Sequence, residues 1–367
     1  LVADSGAAQQ ITDRLIEKFG RKHIQWAVVL TGFIVGIPMF YSVGFVLLIP
    51  LIFTVAISSG VKLLYVGLPM LTALSVTHGY LPPHPAPTAI AEQFNADIGK
   101  TLLYGIIIAI PAIIISGPML ARTTMIQRVN ATPLKEFYNA KPIEKSKLPG
   151  MTVSILTALL PVILIGVSTI GSHFLDPGST FTTLLSFVGD PVIAMLIAVL
   201  VGIYTLGLSR GKKMPELMNS LTDSISSITM ILLIIAGAGA LKQILVDSGV
   251  SDYIADLIKH SDLSPLFLAW LIASVIRVCV GSATVAGLTT AGIVSTLAQS
   301  QGVSAELMVL AIGSGSLMLS HVNDSGFWMF KEYFNLSVKE TLSTWTVMET
   351  SVGIMGLVGV LILNFFI

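Results

Sequence analysis

Long apolar runs separated by short polar breaks dominate the chain. A helix needs about 20 apolar residues to cross the hydrocarbon of a bilayer, and residues 102–121, 151–170, 190–208, 220–241, 264–280, 304–320 and 342–366 read as such spans. Residues 24–77 are apolar too, but they exceed one crossing. Pro38 and the polar pair Tyr41-Ser42 interrupt them, which leaves two spans or a re-entrant hairpin open. The expected fold is all-α, a polytopic transmembrane helical bundle.

Short loops rich in Lys and Arg stay cytoplasmic. Arg122, Arg128, Lys135, Lys141, Lys145 and Lys147 occupy the loop 122–150, and Arg210, Lys212 and Lys213 the loop 209–215. The intervening segment 171–189 has neither residue type, so it is expected on the opposite face.

The chain also resembles itself. Asp4-Ser5-Gly6 recurs as Asp247-Ser248-Gly249, and the same gapless register pairs Ile11 with Ile254, Asp13 with Asp256, Val35 with Val278, Gly44 with Gly287 and His78 with His321. After a loss of three residues, FNADIGKTL at 94–102 pairs with FNLSVKETL at 334–342. The amphipathic segments of the two copies differ in charge: Arg14, Lys18, Arg21 and Lys22 stand in one, Lys259 with Asp252, Asp256 and Asp262 in the other. Opposite signatures place them on opposite membrane faces, as inverted-topology repeats of secondary transporters require. The expected division is 1–121 as the later part of the first inverted repeat, 122–150 as a cytoplasmic linker and 151–367 as the second repeat. On this reading the front of the first repeat is missing.

Composition narrows the function. The chain is 54% hydrophobic and 11% charged, where soluble domains carry about 25% charged residues. Twenty Lys+Arg balance twenty Asp+Glu, so no basic excess is available to hold a nucleic-acid backbone. Cys279 is the one cysteine, which excludes a disulfide framework and a Cys-rich zinc site. No cleavable leader is recognised at Leu1-Val2-Ala3-Asp4, a start read as a cut. Motifs for metalloprotease, hydrolase, P-loop and dinucleotide-binding chemistry are absent, so no enzyme, metal site or cofactor is expected.

Helix-breaking sequence at membrane depth lines sites, because its backbone polar groups need protein or water partners. Four breaks fall in repeat-related pairs: 38–44 opposite 281–287, and 77–88 opposite 320–326. Pro82, Pro83, Pro85 and Pro87 are expected to unwind the backbone. Freed N–H groups of the following half-helices attract anions, and Ser282, Thr284, Ser320 and Asn323 add hydroxyl and amide groups. The expected ligand is small, polar and anionic, and the substrate-binding set is Tyr41, Ser42, His78, His84, Thr88, Gly281, Ser282, Thr284, Ser320, His321 and Asn323.

Asp324 is read as the proton-coupling carboxylate, with His321 beside it; the competing reading has it capping a helix that starts near Phe327. Arg277 is read as structural, capping exposed helix carbonyls, rather than as a bidentate carboxylate ligand. Glu349 is read as structural as well, snorkelling or pairing near one end of the last span. A passive channel is disfavoured because the polar residues cluster at paired breaks rather than along one span face.

HGYLPPHPAPTAI at 78–90, GSATVAGLTTAGIV at 281–294 and GSGSLMLSHVNDSGFWMFKEYFNLSVKETLSTWTVMET at 313–350 resemble the gluconate permease family along essentially the whole chain. The resemblance implies a proton-coupled symporter of the bacterial inner membrane, Na⁺ coupling being the lesser alternative, that imports gluconate or a related sugar acid by alternating access. Relatives carry D-serine, which gives a second substrate class. The resemblance also implies re-entrant hairpins, membrane lipids around the bundle and a homodimer. One position departs from the pattern. An acid is expected in the motif Phe40-Tyr41-Ser42-Val43-Gly44 where Ser42 stands, so Ser42 marks a proton-coupling position normally acidic, and an uncoupled variant is the alternative reading.

Overall fold

The computed structural model describes residues 5–132 apart from Pro38, 143–171, 175–176, 179–223 and 263–367, with residues 225, 240, 243–244 and 247–248. Among the described residues every regular element is helical. The expected span 220–241 and most of the second amphipathic segment lie outside them.

The first half of the chain runs α1 (Ala7–Phe19), α2 (Ile24–Gly36), α3 (Tyr41–Ser59), α4 (Leu63–Tyr80), α5 (Pro85–Gln93) and α6 (Ile98–Met119, whose last turn Ile115–Met119 widens to a π-helix). Then come α7 (Met151–Gly171), α8 (Thr180–Gly189) and α9 (Pro191–Thr205). The chain ends with α10 (Pro265–Val280), α11 (Ala283–Gln301), α12 (Ala305–Gly315), α13 (Ser325–Tyr333) and α14 (Val338–Leu363, with a π turn at Leu342–Thr346).

Local chemistry sets the ends. Asp97 opens α6 by accepting the Lys100 N–H at 2.9 Å, and Ser337 with Glu340 forms a capping box that opens α14. Four stretches are long and apolar enough to cross a membrane: Ile98–Met119, Met151–Ser168, Val192–Arg210 and Val338–Leu363. Phe181, Leu184, Phe187, Val192, Leu196, Leu200 and Tyr204 are each more than half exposed along α8 and α9, a continuous apolar face suited to hydrocarbon.

Several spans differ from the sequence reading. Residues 24–77 resolve into three helices, α2, α3 and most of α4, instead of two spans or one hairpin. The supposed crossing 304–320 is an 11-residue helix, α12, followed by turns; at about 1.5 Å per residue it is too short to span. Segment 171–189 contains α8 rather than loop alone. Pro85 and Pro87 do not break the backbone. They lie in the first turn of α5, where the missing N–H has no helical partner to lose, so the unwound stretch shrinks to Leu81–His84.

Elements of the two halves correspond in position along the chain. Shifted by 240 residues, α5 falls on α13 and α6 begins where α14 begins; shifted by 243, α2, α3 and α4 fall on α10, α11 and α12 to within a few residues, α12 stopping short of the length of α4. Packing repeats too: α2 lies against α4 as α10 lies against α12, and α4 against α6 as α12 against α14. Asn95 and Asn335, mates at 240, share the left-handed conformation with φ of 52° and 50°. Each is followed by an N–H that closes the preceding helix at 2.9 Å, Ala96 to Ala91 and Leu336 to Lys331.

Branched side chains are outliers in the left-handed region, at a cost of roughly 1–2 kcal/mol. Asn95→Val and Asn335→Val are each expected to melt below the matching Asn→Gly variant in detergent. Equal melting temperatures would show that neither turn is held in that conformation.

Candidate functional site

The breaks of both halves surround one cavity of about 200 Å³. Phe40, Tyr41 and Ser42 reach it from the start of α3, Ser75 and His78 from the last turns of α4, Arg277 from the last turn of α10, and Gly281 to Thr284 from the start of α11. Leu317 follows α12, Asp324 to Gly326 and Met329 belong to α13, and Trp345 and Glu349 stand one turn apart on α14.

Three helices start at this cavity: α3, α11 and α13. Their N-terminal N–H groups carry partial positive charge. Phe40 offers α3 no side-chain cap, so those donors are free to meet a ligand. Ser282 caps α11, accepting from the Val285 N–H at 3.4 Å, and Asp324 caps α13, accepting from the Gly326 N–H at 2.9 Å. Gly281 makes the crossing of the two breaks possible. Its φ of 78° is left-handed, and a Cβ there would collide with the Asn323 backbone carbonyl.

Arg277 is 4% exposed and does not cap α10. The Val278 carbonyl is met instead by the Asn323 side-chain amide at 2.7 Å and by His321 Nε2 at 3.1 Å. The Arg277 guanidinium pairs through Nη2 with Asp324 Oδ2. Asp324 Oδ2 also accepts from the Ser320 hydroxyl, and Ser320 Oγ accepts from the Trp345 indole N–H at 2.7 Å. A relay from Trp345 through Ser320 and Asp324 to Arg277 therefore fixes the guanidinium. Buried ion pairs persist only with such extra hydrogen bonds.

Glu349 lies inside the bundle at 3% exposure, not near a span end. Its Oε1 accepts from the Ser75 hydroxyl at 2.5 Å. Seven buried side-chain polar atoms lack a partner among the described residues, and five belong to this cavity: Tyr41 Oη, His78 Nδ1, Arg277 Nε and Nη1, and Glu349 Oε2. Buried polar atoms are normally satisfied, so their concentration here marks a chamber built for a polar guest. Nε and Nη1 point to opposite sides of the guanidinium and are two separate charged donors, each able to meet its own acceptor.

Of the residues expected from sequence, Tyr41, Ser42, His78, Gly281, Ser282, Thr284 and Asp324 line the cavity, and His84, Thr88, Ser320, His321 and Asn323 do not. His84 is held 2.9 Å from the Gly36 carbonyl and packs edge-on against His78, ring centroids 5.2 Å apart. Thr88 sits in the first turn of α5. Ser75, Trp345, Arg277 and Glu349 were not in the expected set. Charge inside an apolar run marks the last two, and the i,i+4 spacing puts Trp345 and Glu349 on one face of α14. Among the described residues no group of three or more His, Cys, Asp or Glu is placed to hold a metal ion.

Comparison with known proteins follows the same line. The model of the GntP family permease matches residues 1–366. The chain is 53% identical over 367 residues to a high-affinity gluconate transporter of Escherichia coli (strain K12), covering 100% of this chain and 83% of that protein. It is 50% identical over 364 residues to the Gnt-II system L-idonate transporter of the same strain, covering 99% and 82%. It is 47% identical over 375 residues to a gluconate permease of Bacillus subtilis (strain 168), covering 99% and 83%. Among solved structures, the YdaH transporter of Alcanivorax borkumensis, described as having an unusual topology, superposes with a TM-score of 0.66 at 15% identity, covering 99% of this chain and 82% of that one. At that identity the likeness concerns the fold.

Ser320→Ala strands the Trp345 indole N–H and removes one donor from Asp324. Leaving a buried donor unsatisfied costs roughly 1–3 kcal/mol, so the variant is expected to melt below wild type in detergent, and an unchanged melting temperature would show that the relay does not hold the site.

Proposed function

Because the chain belongs to the GntP family of permeases, an integral membrane transporter rather than an enzyme, we propose that it imports gluconate or a closely related sugar acid across the bacterial inner membrane. The observation that carries this reading is the pair of unpartnered donors on Arg277, buried in a chamber whose other free atoms are hydroxyl, imidazole and carboxyl groups. A substrate carboxylate takes Nη1 of Arg277, and Asp324 keeps the guanidinium in place through Nη2. Substrate hydroxyls meet Tyr41 Oη, His78 Nδ1, Ser282 and Thr284. The uncapped start of α3 adds favourable potential for the anion. A volume near 200 Å³ corresponds to roughly seven waters at about 30 Å³ each, which restricts the guest to a small molecule.

Transport proceeds by alternating access, with the chain divided at 1–121, 122–150 and 151–367 and the two repeats inverted relative to one another. The corresponding helices and the paired breaks support that division. Import is coupled to protons. The apolar outer face of α8 and α9 lies against lipid, and the homodimer carried by the family resemblance completes the assembly.

Replacing the guanidinium with a point charge keeps the partner of Asp324 and discards the second nitrogen that meets the substrate. With charge-assisted hydrogen bonds worth about 1.5–3 kcal/mol each, Arg277→Lys is expected to weaken gluconate binding by about 10- to 100-fold in titration calorimetry of the detergent-solubilised protein, and Arg277→Gln to abolish it. Wild-type affinity in Arg277→Lys would remove Arg277 from the substrate site.

A further inference from the structure

Three charged side chains line the cavity, and two of them neutralise each other. Arg277 and Asp324 pair directly, and Asp324 has Ser320 and the Gly326 N–H as further donors. Asp324 is thus already committed to a cation and two further donors. Glu349 is the opposite case. It is buried, it makes no ion pair among the described residues, it has one hydroxyl partner, Ser75, and one oxygen without any. A carboxylate in that setting bears the full cost of desolvation, and protonation relieves it.

Resting on the sugar-acid reading above, we propose that Glu349, not Asp324, carries the coupled proton, one proton for each sugar acid. Charge conservation at the site links the two. Without substrate, ionised Glu349 leaves the chamber with Arg277 positive and two carboxylates negative. When a sugar acid places its own carboxylate on Arg277, Glu349 takes a proton and the net charge is the same as before. The loaded protonated site and the empty deprotonated site therefore face the membrane with equal charge, whereas a loaded site with Glu349 ionised holds one more negative charge in a region of low dielectric. Of these three states, crossing is favoured for the first two. The proton enters from one side with the substrate and leaves Glu349 on the other after the substrate has gone.

Other titratable groups around Glu349 do not compete for this role. Arg277 from α10 and Asp324 from the start of α13 form the ion pair, Tyr41 from α3 and Tyr80 from α4 are phenols, and a proton on His78 from α4 would put a second positive charge in the chamber that already holds Arg277. Neither α6 nor α12, both packed on α14, contributes a lining side chain. Ser42 lines the same chamber, so an acid at that position and Glu349 would share one electrostatic compartment. Coupling therefore needs no acid at position 42.

The test is uptake of labelled gluconate into proteoliposomes, measured as accumulation driven by an imposed pH gradient and, separately, as exchange against internal unlabelled gluconate at equal pH. Glu349→Gln mimics the protonated acid, so accumulation is expected to fall to background while exchange persists. Asp324→Asn, which leaves Arg277 unpaired, is expected to lose both. In wild type a membrane potential alone, set by a potassium gradient with valinomycin, is expected to leave the initial rate unchanged.

Gradient-driven accumulation by Glu349→Gln, loss of its exchange together with its accumulation, or uptake driven by potential alone would each overturn the proposal. Should Glu349→Gln fail to reconstitute, Glu349→Asp carries the test. Its accumulation must shift along the pH axis relative to wild type, and an unshifted profile counts against the proposal. A wild-type protein that exchanges no gluconate refutes the sugar-acid reading instead.

Discussion

The buried pair of Arg277 with Asp324 is the interaction on which the rest of this structure depends. A guanidinium inside an apolar bundle needs a counter-charge and partners for its remaining donors. Asp324 supplies the charge, while Ser320 and Trp345 hold Asp324 in turn. The breaks after α10 and before α13 must therefore stay in register, and Gly281 allows their backbones to meet. Two guanidinium nitrogens, Nε and Nη1, remain without partners in a residue that lines the cavity. Removing either partner would leave a buried charge alone, so the pair constrains fold and site together.

Duplication accounts for the frame but not for the chemistry. The two halves share helix boundaries, both asparagine turns and the placement of their breaks. The charges are on one side only: Arg277, Asp324 and Glu349 correspond to Ile34, His84 and Ala109 in the first half. His84 occupies the N-cap of α5 as Asp324 occupies that of α13, yet His84 turns its ring to the Gly36 carbonyl. One half thus contributes the charged wall, and the other contributes Tyr41, Ser42, Ser75 and His78. The chamber is thus asymmetric although the helices around it correspond.

Much of this was legible in the sequence, and the reasons for the rest are specific. Hydrophobic runs gave the helical class, and repeat pairing singled out the breaks, because both signals are local or periodic. Helix lengths were less accessible. The run 304–320 is mostly apolar, but Leu319 takes a left-handed conformation and the helix stops at Gly315, which hydropathy does not register. Ser320, His321 and Asn323 have ligand-like chemistry but spend it on Asp324 and the Val278 carbonyl. Glu349 was read as a span-end residue because position along a run says nothing about neighbours. Its partner Ser75 lies 274 residues away.

The central claim is that Arg277 offers its free Nη1 donor to the carboxylate of a small sugar acid. A structure of the protein in nanodiscs with gluconate bound tests it most directly. The account predicts a carboxylate within hydrogen-bonding distance of Arg277 Nη1, with Asp324 still on Nη2. Gluconate seated elsewhere, or bound with its carboxylate turned away from Arg277, would contradict it.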